Sequence, residues 1–352
     1  MIRFTWLQFR MQAGVALAAL AAFAAVLVVT GPHMASLYAG SAITGCHGGA
    51  CANAANTFLS RLTTTSPYAT TYELGIALVL IAPAITGIFW GGPLMAREFE
   101  AGTHRLAWTQ SITRTRWLAV KLLLTGLAAM AVAEALTLML AWWADPISKA
   151  IGIGGAYPPG SVFGQVRLGS FVFATSGITP LGYAAFGFAL GTAAGAFIRR
   201  AVPAMAVTLA IFAAVQVAIP LWIRPHLIPP SQTVVSGPSF FQAAAMSVGT
   251  LTATAVPGQP GALIVSSGAI NASGQPVSTI PAACLPQPSP VKTQAGSPDL
   301  GTCMSRRGIR EAITYQPASR YWPIQWLETG IFLTFACALA GACFWRLGRR
   351  RT

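Results

Sequence analysis

Charge is scarce in this chain, and where it occurs it is gathered. Of 352 residues, 54% are hydrophobic and 9% charged. The stretch LMAREFEAGTHRLAWTQSITRTRWLAVK, residues 94–121, nonetheless holds Arg97, Glu98, Glu100, Arg105, Arg114, Arg116 and Lys121. A basic loop that only fixes topology and holds anionic headgroups would explain the arginines. It would not explain Glu98 and Glu100, which an anionic leaflet repels. Acidic and basic groups mixed on one short segment suit docking to a charged partner. Phe99, Leu106, Trp108, Ile112 and Trp117 are interleaved with them, so the apolar side chains can lie in an interface while the charges face water or protein. Gly102 allows a sharp break, and Thr113 can cap the helix that follows.

Little else in the chain could do chemistry. There is no G-x-x-x-x-G-K-[ST], so the chain carries no P-loop. H-E-x-x-H, G-x-S-x-G and C-x-x-C are absent too. His33, His47, His104 and His226 do not cluster. An enzymatic reading therefore has no residues to stand on, and no cofactor is expected in this chain. Glu134 lies deep in an apolar run, where an ionisable side chain costs several kcal/mol unless paired or wetted. Two readings stand: a pathway-lining or gating acid facing a cationic group, or a protonated carboxyl hydrogen-bonded inside the bundle. Glu73 and Glu328 fall near the ends of apolar runs and read as solvated. Gly187, Gly191 and Gly195 make a smooth face for close helix approach, within the chain or against a second subunit.

The elements that hold these residues follow from hydropathy. A helix needs about 20 apolar residues to cross a bilayer, and six segments qualify. They run over about 12–30, 73–95, 118–143, 170–198, 202–222 and 324–345. Pro180 suits a first helical turn, so the fourth span starts near Thr179, after a short re-entrant or interfacial piece. A soluble domain carries roughly 25% charge, so the chain reads as an all-α membrane protein. The net charge of +14 does not indicate nucleic acid, because the basic residues sit where apolar runs end. With both termini in the cytoplasm, 13 of the 22 basic residues fall in short inside segments, as the positive-inside rule requires. The N-terminal apolar run is long for a cleaved signal sequence and reads as a retained span.

Three parts result: 1–222 with spans 1 to 5, a loop-rich external segment 223–323, and the sixth span with a basic tail, 324–352. The external segment shows weak strand-like runs such as ALIVSS. Its end, SRRGIREAITYQPASRYWP, reads as a short helix leading to an aromatic belt at Tyr321 and Trp322. Cys46, Cys51, Cys284 and Cys303 all lie outside, where disulfides persist. The pairs Cys46–Cys51 and Cys284–Cys303 would close small loops, and cross-pairings stay open. A metal site at Cys46, His47 and Cys51 lacks further nearby ligands. Cys337 and Cys343, in span six, read as free apolar fillers.

E-x-E-x-G-T followed by TQSITRTRWLAVK resembles the loop between spans two and three of type-2 ABC exporter permeases. FTWLQFRMQ, FWGGPLMAREFEAGTHRLAWTQS, GTAAGAFIRRAVPAMAVTL and TYQPASRYWPIQWLETGIF are similar to the actinobacterial branch of that family. The resemblance implies a six-helix permease with an N-terminal interfacial helix, here about Ile2–Met11, and a cytoplasmic coupling helix between spans two and three. It implies a separate ABC ATPase subunit that binds ATP and Mg, and a homodimer or a second permease to complete the transporter. Carried over by position, Glu98, Glu100, Gly102 and Thr103 match the motif beside the coupling helix, with Arg97, Arg105 and Trp108 around it. The function implied is ATP-driven export of an amphipathic or lipid-like substrate across a bacterial cell membrane. A proton-coupled secondary transporter using Glu134 and a membrane-anchored sensor are the alternatives.

Overall fold

The computed structural model describes residues 2–47, 50–64, 67–102, 113–153, 165–236, 245–247, 250–252, 256, 258–277, 284 and 300–348. Six helices among them are long and apolar enough to cross a membrane. They are span 1 (Ile2–Ala39), span 2 (Tyr68–Glu100), span 3 (Arg114–Trp143), span 4 (Thr179–Ile198), span 5 (Ala201–Leu227) and span 6 (Tyr321–Gly348). The chain is a multi-pass membrane protein. Because the number of spans is even, both termini, the 101–113 connection and the Arg199–Arg200 turn share one end of the bundle, here called the basic end. The other end carries the short helices Ala50–Thr64, Asp145–Gly152 and Ser170–Ala174 and a small sheet.

Span 4 is the hub. It packs against spans 2, 3, 5 and 6, and nearly all of its residues are buried. Span 1 lies at the periphery, against span 3. The hub depends on two glycine faces that meet backbone to backbone. A Cβ on Gly187 would stand 2.8 Å from the Pro83 carbonyl oxygen, and one on Gly87 would stand 2.5 Å from that of Gly187. At Gly191 and Gly195 a Cβ would run into the carbonyl oxygens of Gly87 and Gly92. The predicted smooth face is therefore used inside the chain, where small residues let the backbones approach. At this crossing, span 2 widens into a π-turn over Gly87–Gly91. Such bulges leave carbonyls off the regular ladder, and Gln12 Nε2 of span 1 donates to the Phe89 carbonyl at 3.2 Å.

Three local expectations change. The anticipated N-terminal interfacial helix is not a separate element: Ile2–Ala39 is one continuous helix. FTWLQFRMQA contains no Pro or Gly to break it, so the ladder carries on into span 1. The external segment is not only loops. β1 (Ser231–Val235), β2 (Ala245–Ser247), β3 (Thr250–Thr252), β4 (Leu263–Ile270) and β5 (Arg310–Gln316) form a three-stranded antiparallel sheet in the order β1-β5-β4 and a β2-β3 hairpin. REAITYQ, read as part of a helix, is the central strand. The helix ends earlier, at Leu300–Arg306, and Gly308 at φ +68° turns the chain into the strand. Ile313 of β5 then packs with Val256, Cys284, Met304 and Ile309 in a small core of its own. The start of span 4 at Thr179 and the short helix before it agree with the expectation.

Candidate functional site

At the basic end, span 2 finishes in Arg97, Glu98, Phe99 and Glu100. The helix stops there because Gly102 takes φ +68°, the left-handed conformation of a C-terminal glycine stop. Glu98 forms an ion pair with Lys121 of span 3. Lys121 is buried to 1% exposure, and its ammonium sits 4.7 Å from the centre of the Trp117 ring, which adds a cation–π attraction. Two residues on, Glu100 Oε1 accepts the Ala201 N–H at 3.1 Å. Ala201 opens span 5, and the residue before it, Arg200, gives the helix no side-chain cap. A carboxylate from another span therefore caps the positive end of the helix. The turn into span 5 is tight, with Arg199 at φ 61°. Thr113 caps span 3 by accepting the Arg116 N–H at 3.4 Å.

The two glutamates that the sequence offered as docking groups thus tie span 2 to spans 3 and 5 inside the chain. Arg97 is exposed and makes no salt bridge among the described residues. Thr103, Arg105 and Trp108 lie outside the described residues.

The opposite end holds a cluster that the sequence reading missed. Glu328 is fully buried, not solvated. Arg224 of span 5 grips it bidentately with one edge of its guanidinium, Nε to Oε2 at 2.9 Å and Nη2 to Oε1 at 3.0 Å. Tyr183 of span 4 donates its hydroxyl to Oε1 at 2.5 Å. Arg224 also donates to the Ser170 carbonyl at 3.4 Å and stacks over Phe173 at 4.3 Å. One turn away, Gln325 Oε1 accepts the N–H groups of Ile178 and Thr179 at 3.0 and 2.9 Å. Its amide donates to the carbonyls of Phe173 and Ser176. Spans 4, 5 and 6 are locked here by two-point charge pairing and by a remote cap on span 4. The available signal was chemical: a charge inside an apolar span needs a partner, and Arg224 lies at the end of span 5 nearest to span 6.

Glu134 joins neither cluster. It is half-buried, one of its carboxylate oxygens is buried without a hydrogen-bond partner among the described residues, and no ion pair there includes it. The cysteines pair as Cys46–Cys51 and Cys284–Cys303, which leaves no thiolate for a metal at Cys46. Cys337 and Cys343 are free.

A family model described as ABC-2 membrane transporter related matches residues 17–224. No curated protein and no solved structure matches the chain. The matched range takes in spans 2 to 4, most of spans 1 and 5, the Glu98–Lys121 and Glu100–Ala201 ties, and Arg224. The sheet and span 6 fall beyond it.

Proposed function

The chain belongs to the ABC-2 membrane transporter related family, and from that premise we propose that it is the permease subunit of an ATP-driven exporter. A separate ATPase subunit, holding ATP and Mg, docks at the basic end on the segment 95–117. The observation that carries this reading is the pair of ties made by Glu98 and Glu100. They join the end of span 2 to spans 3 and 5, and the glycine crossing joins span 2 to span 4. Coupling requires an element that moves as one piece between two positions. A push on the 101–113 connection would reach four spans through groups already in contact.

The basic end faces the cytoplasm of a bacterial cell, as the arginine distribution favours. A second copy of the chain, or a second permease, completes the transporter. The substrate is amphipathic or lipid-like, since the spans are apolar and Glu134, near the middle of span 3, is an acid without an ion pair among the described residues. Its unbonded buried oxygen suits a pathway-lining role.

The test separates docking from coupling. Full-length protein in mild detergent is used to pull down its ATPase, and the complex is assayed in vesicles. Arg105→Glu/Trp108→Ala should lose the ATPase from the pull-down. Lys121→Met should keep the ATPase bound but uncouple hydrolysis from transport. Should wild type bring down no ATPase, the exporter reading loses its energy source.

A further inference from the structure

Between spans 1, 2 and 3 the surface holds two adjoining cavities, one lined by charged and apolar side chains together and one almost wholly apolar. One, of about 240 Å³, lies at the basic end and is lined by Gln12, Arg97, Glu98, Lys121 and Thr125 beside Phe9 and Trp90. The other, of about 500 Å³, is almost wholly apolar and runs along span 1 from Met11 to Leu20, with Ile85 and Phe89 on span 2 and Leu136 on span 3. Gln12 and Trp90 line both, so the smaller cavity opens directly into the apolar one. The nine steps of helix from Met11 to Leu20 cover about 14 Å at 1.5 Å per residue. That is roughly half of a 30 Å hydrocarbon core, the depth of a single leaflet. The cavity at the basic end of the groove therefore falls near headgroup level, and the buried Trp90 ring, packed edge-on against Phe9, lies between the two cavities.

We propose that this groove holds one anionic glycerophospholipid, with its phosphate at Arg97 and an acyl chain along span 1. The charge of the smaller cavity selects the headgroup. Arg97 and Lys121 against Glu98 leave one positive charge. Lys121 is already paired with Glu98, so the exposed Arg97 guanidinium carries that surplus. A guanidinium fork matches a phosphate better than a point charge does. A zwitterionic headgroup brings its own ammonium into the same cavity and cancels the attraction. The occupant is a resident lipid wedge between a peripheral span and the bundle. Arg97 belongs to the segment 95–117 assigned to ATPase docking, but the test reads lipid retention by the chain alone, so the two readings can fail separately.

Native mass spectrometry of the full chain, equilibrated with equal amounts of phosphatidylglycerol and phosphatidylcholine, tests it. Wild type should retain one phosphatidylglycerol per chain with about fivefold preference, the factor for one surface cation. Arg97→Gln should bind both lipids equally. Ala19→Trp fills the groove from an exposed helix face and should retain neither. Wild-type protein labelled with phosphatidylglycerol bearing a photoreactive acyl chain should carry the label within 11–20, 78–90 and 132–136, a readout independent of any variant's folding. Equal retention of the two lipids by wild type, or label confined to other spans, overturns the proposal. So does cross-linking of the groove residues to a second copy of the chain.

Discussion

The two ends of the bundle solve one problem with different means. At each, a helix begins without a cap of its own, and a side chain from another span supplies it: Glu100 for span 5 and Gln325 for span 4. At each, a carboxylate also pairs with a cation on a different span. At the sheet-bearing end, however, Glu328 is fully buried, doubly bonded to Arg224 and bonded again by Tyr183. At the basic end, Glu98 pairs with Lys121 and its side chain keeps 14% exposure. The first arrangement is a clamp that fixes three spans at once. The second is a set of more exposed ties radiating from the end of span 2. An element that moves is drawn from the less stable part of a structure, so if the proposed coupling holds, the basic end is where span 2 would shift.

The largest effect should come from breaking the clamp. Glu328→Leu strands the Arg224 guanidinium in an apolar site, at a cost of about 3–5 kcal/mol. Thermal aggregation followed by fluorescence-detected size exclusion should show it as a steep loss of apparent Tm. The double variant Arg224→Met/Glu328→Leu should regain most of that loss, since no charge is left buried. If the double variant is as unstable as the single, packing and not pairing holds that end.

Lys121→Met removes the matching cation at the basic end. The exposure of Glu98 lets water offset part of the loss, so about 2 kcal/mol is expected. A cost equal to that of Glu328→Leu would erase the contrast between the ends. Glu100→Ala deletes only a cap and should cost about 1 kcal/mol. Hydrogen exchange should localise the change to the first turn of span 5.

The smallest effect belongs to Asp145 and Lys149, a pair on the sheet-bearing end that is open to solvent. The Asp145 hydrogen bond, and then its charge, hold the Lys149 ammonium above its ordinary pKa. A raised lysine adds stability below its unfolded value of about 10.4 and loses it as pH rises through the folded value. Asp145→Asn should therefore leave Tm unchanged at neutral pH, as exposed pairs contribute little. Any difference from wild type should also fade on the alkaline side.

Features that depend on neighbours in sequence were legible. The six spans, the stop at Gly102, the Thr113 cap and the opening of span 4 at Thr179 each follow from a few adjacent residues. The glycine face was legible as well, although its partner was not: that Gly187 meets Pro83 and Gly87 depends on how two distant helices cross. REAITYQ was misread because its strand state comes from pairing with β1 and β4, as in Ser231 opposite Tyr315 and Ile270 opposite Arg310. Glu328 was misread for a related reason. Its place near the start of span 6 suggests water, while its partners lie 104 and 145 residues away.

The sequence by itself therefore determined that the chain carries six helices long and apolar enough to cross a membrane, and roughly where each lies, though not that the first runs unbroken from Ile2 to Ala39. Burying a run of apolar side chains in hydrocarbon is a sum over consecutive residues, and that sum needs no knowledge of tertiary contacts. Only the tertiary structure decided what the few charges do. In an apolar interior each charge must find an opposite partner or a helix end. The packing of helices far apart in sequence brought Glu98 to Lys121, Glu100 to Ala201 and Glu328 to Arg224, and left Glu134 apart from them.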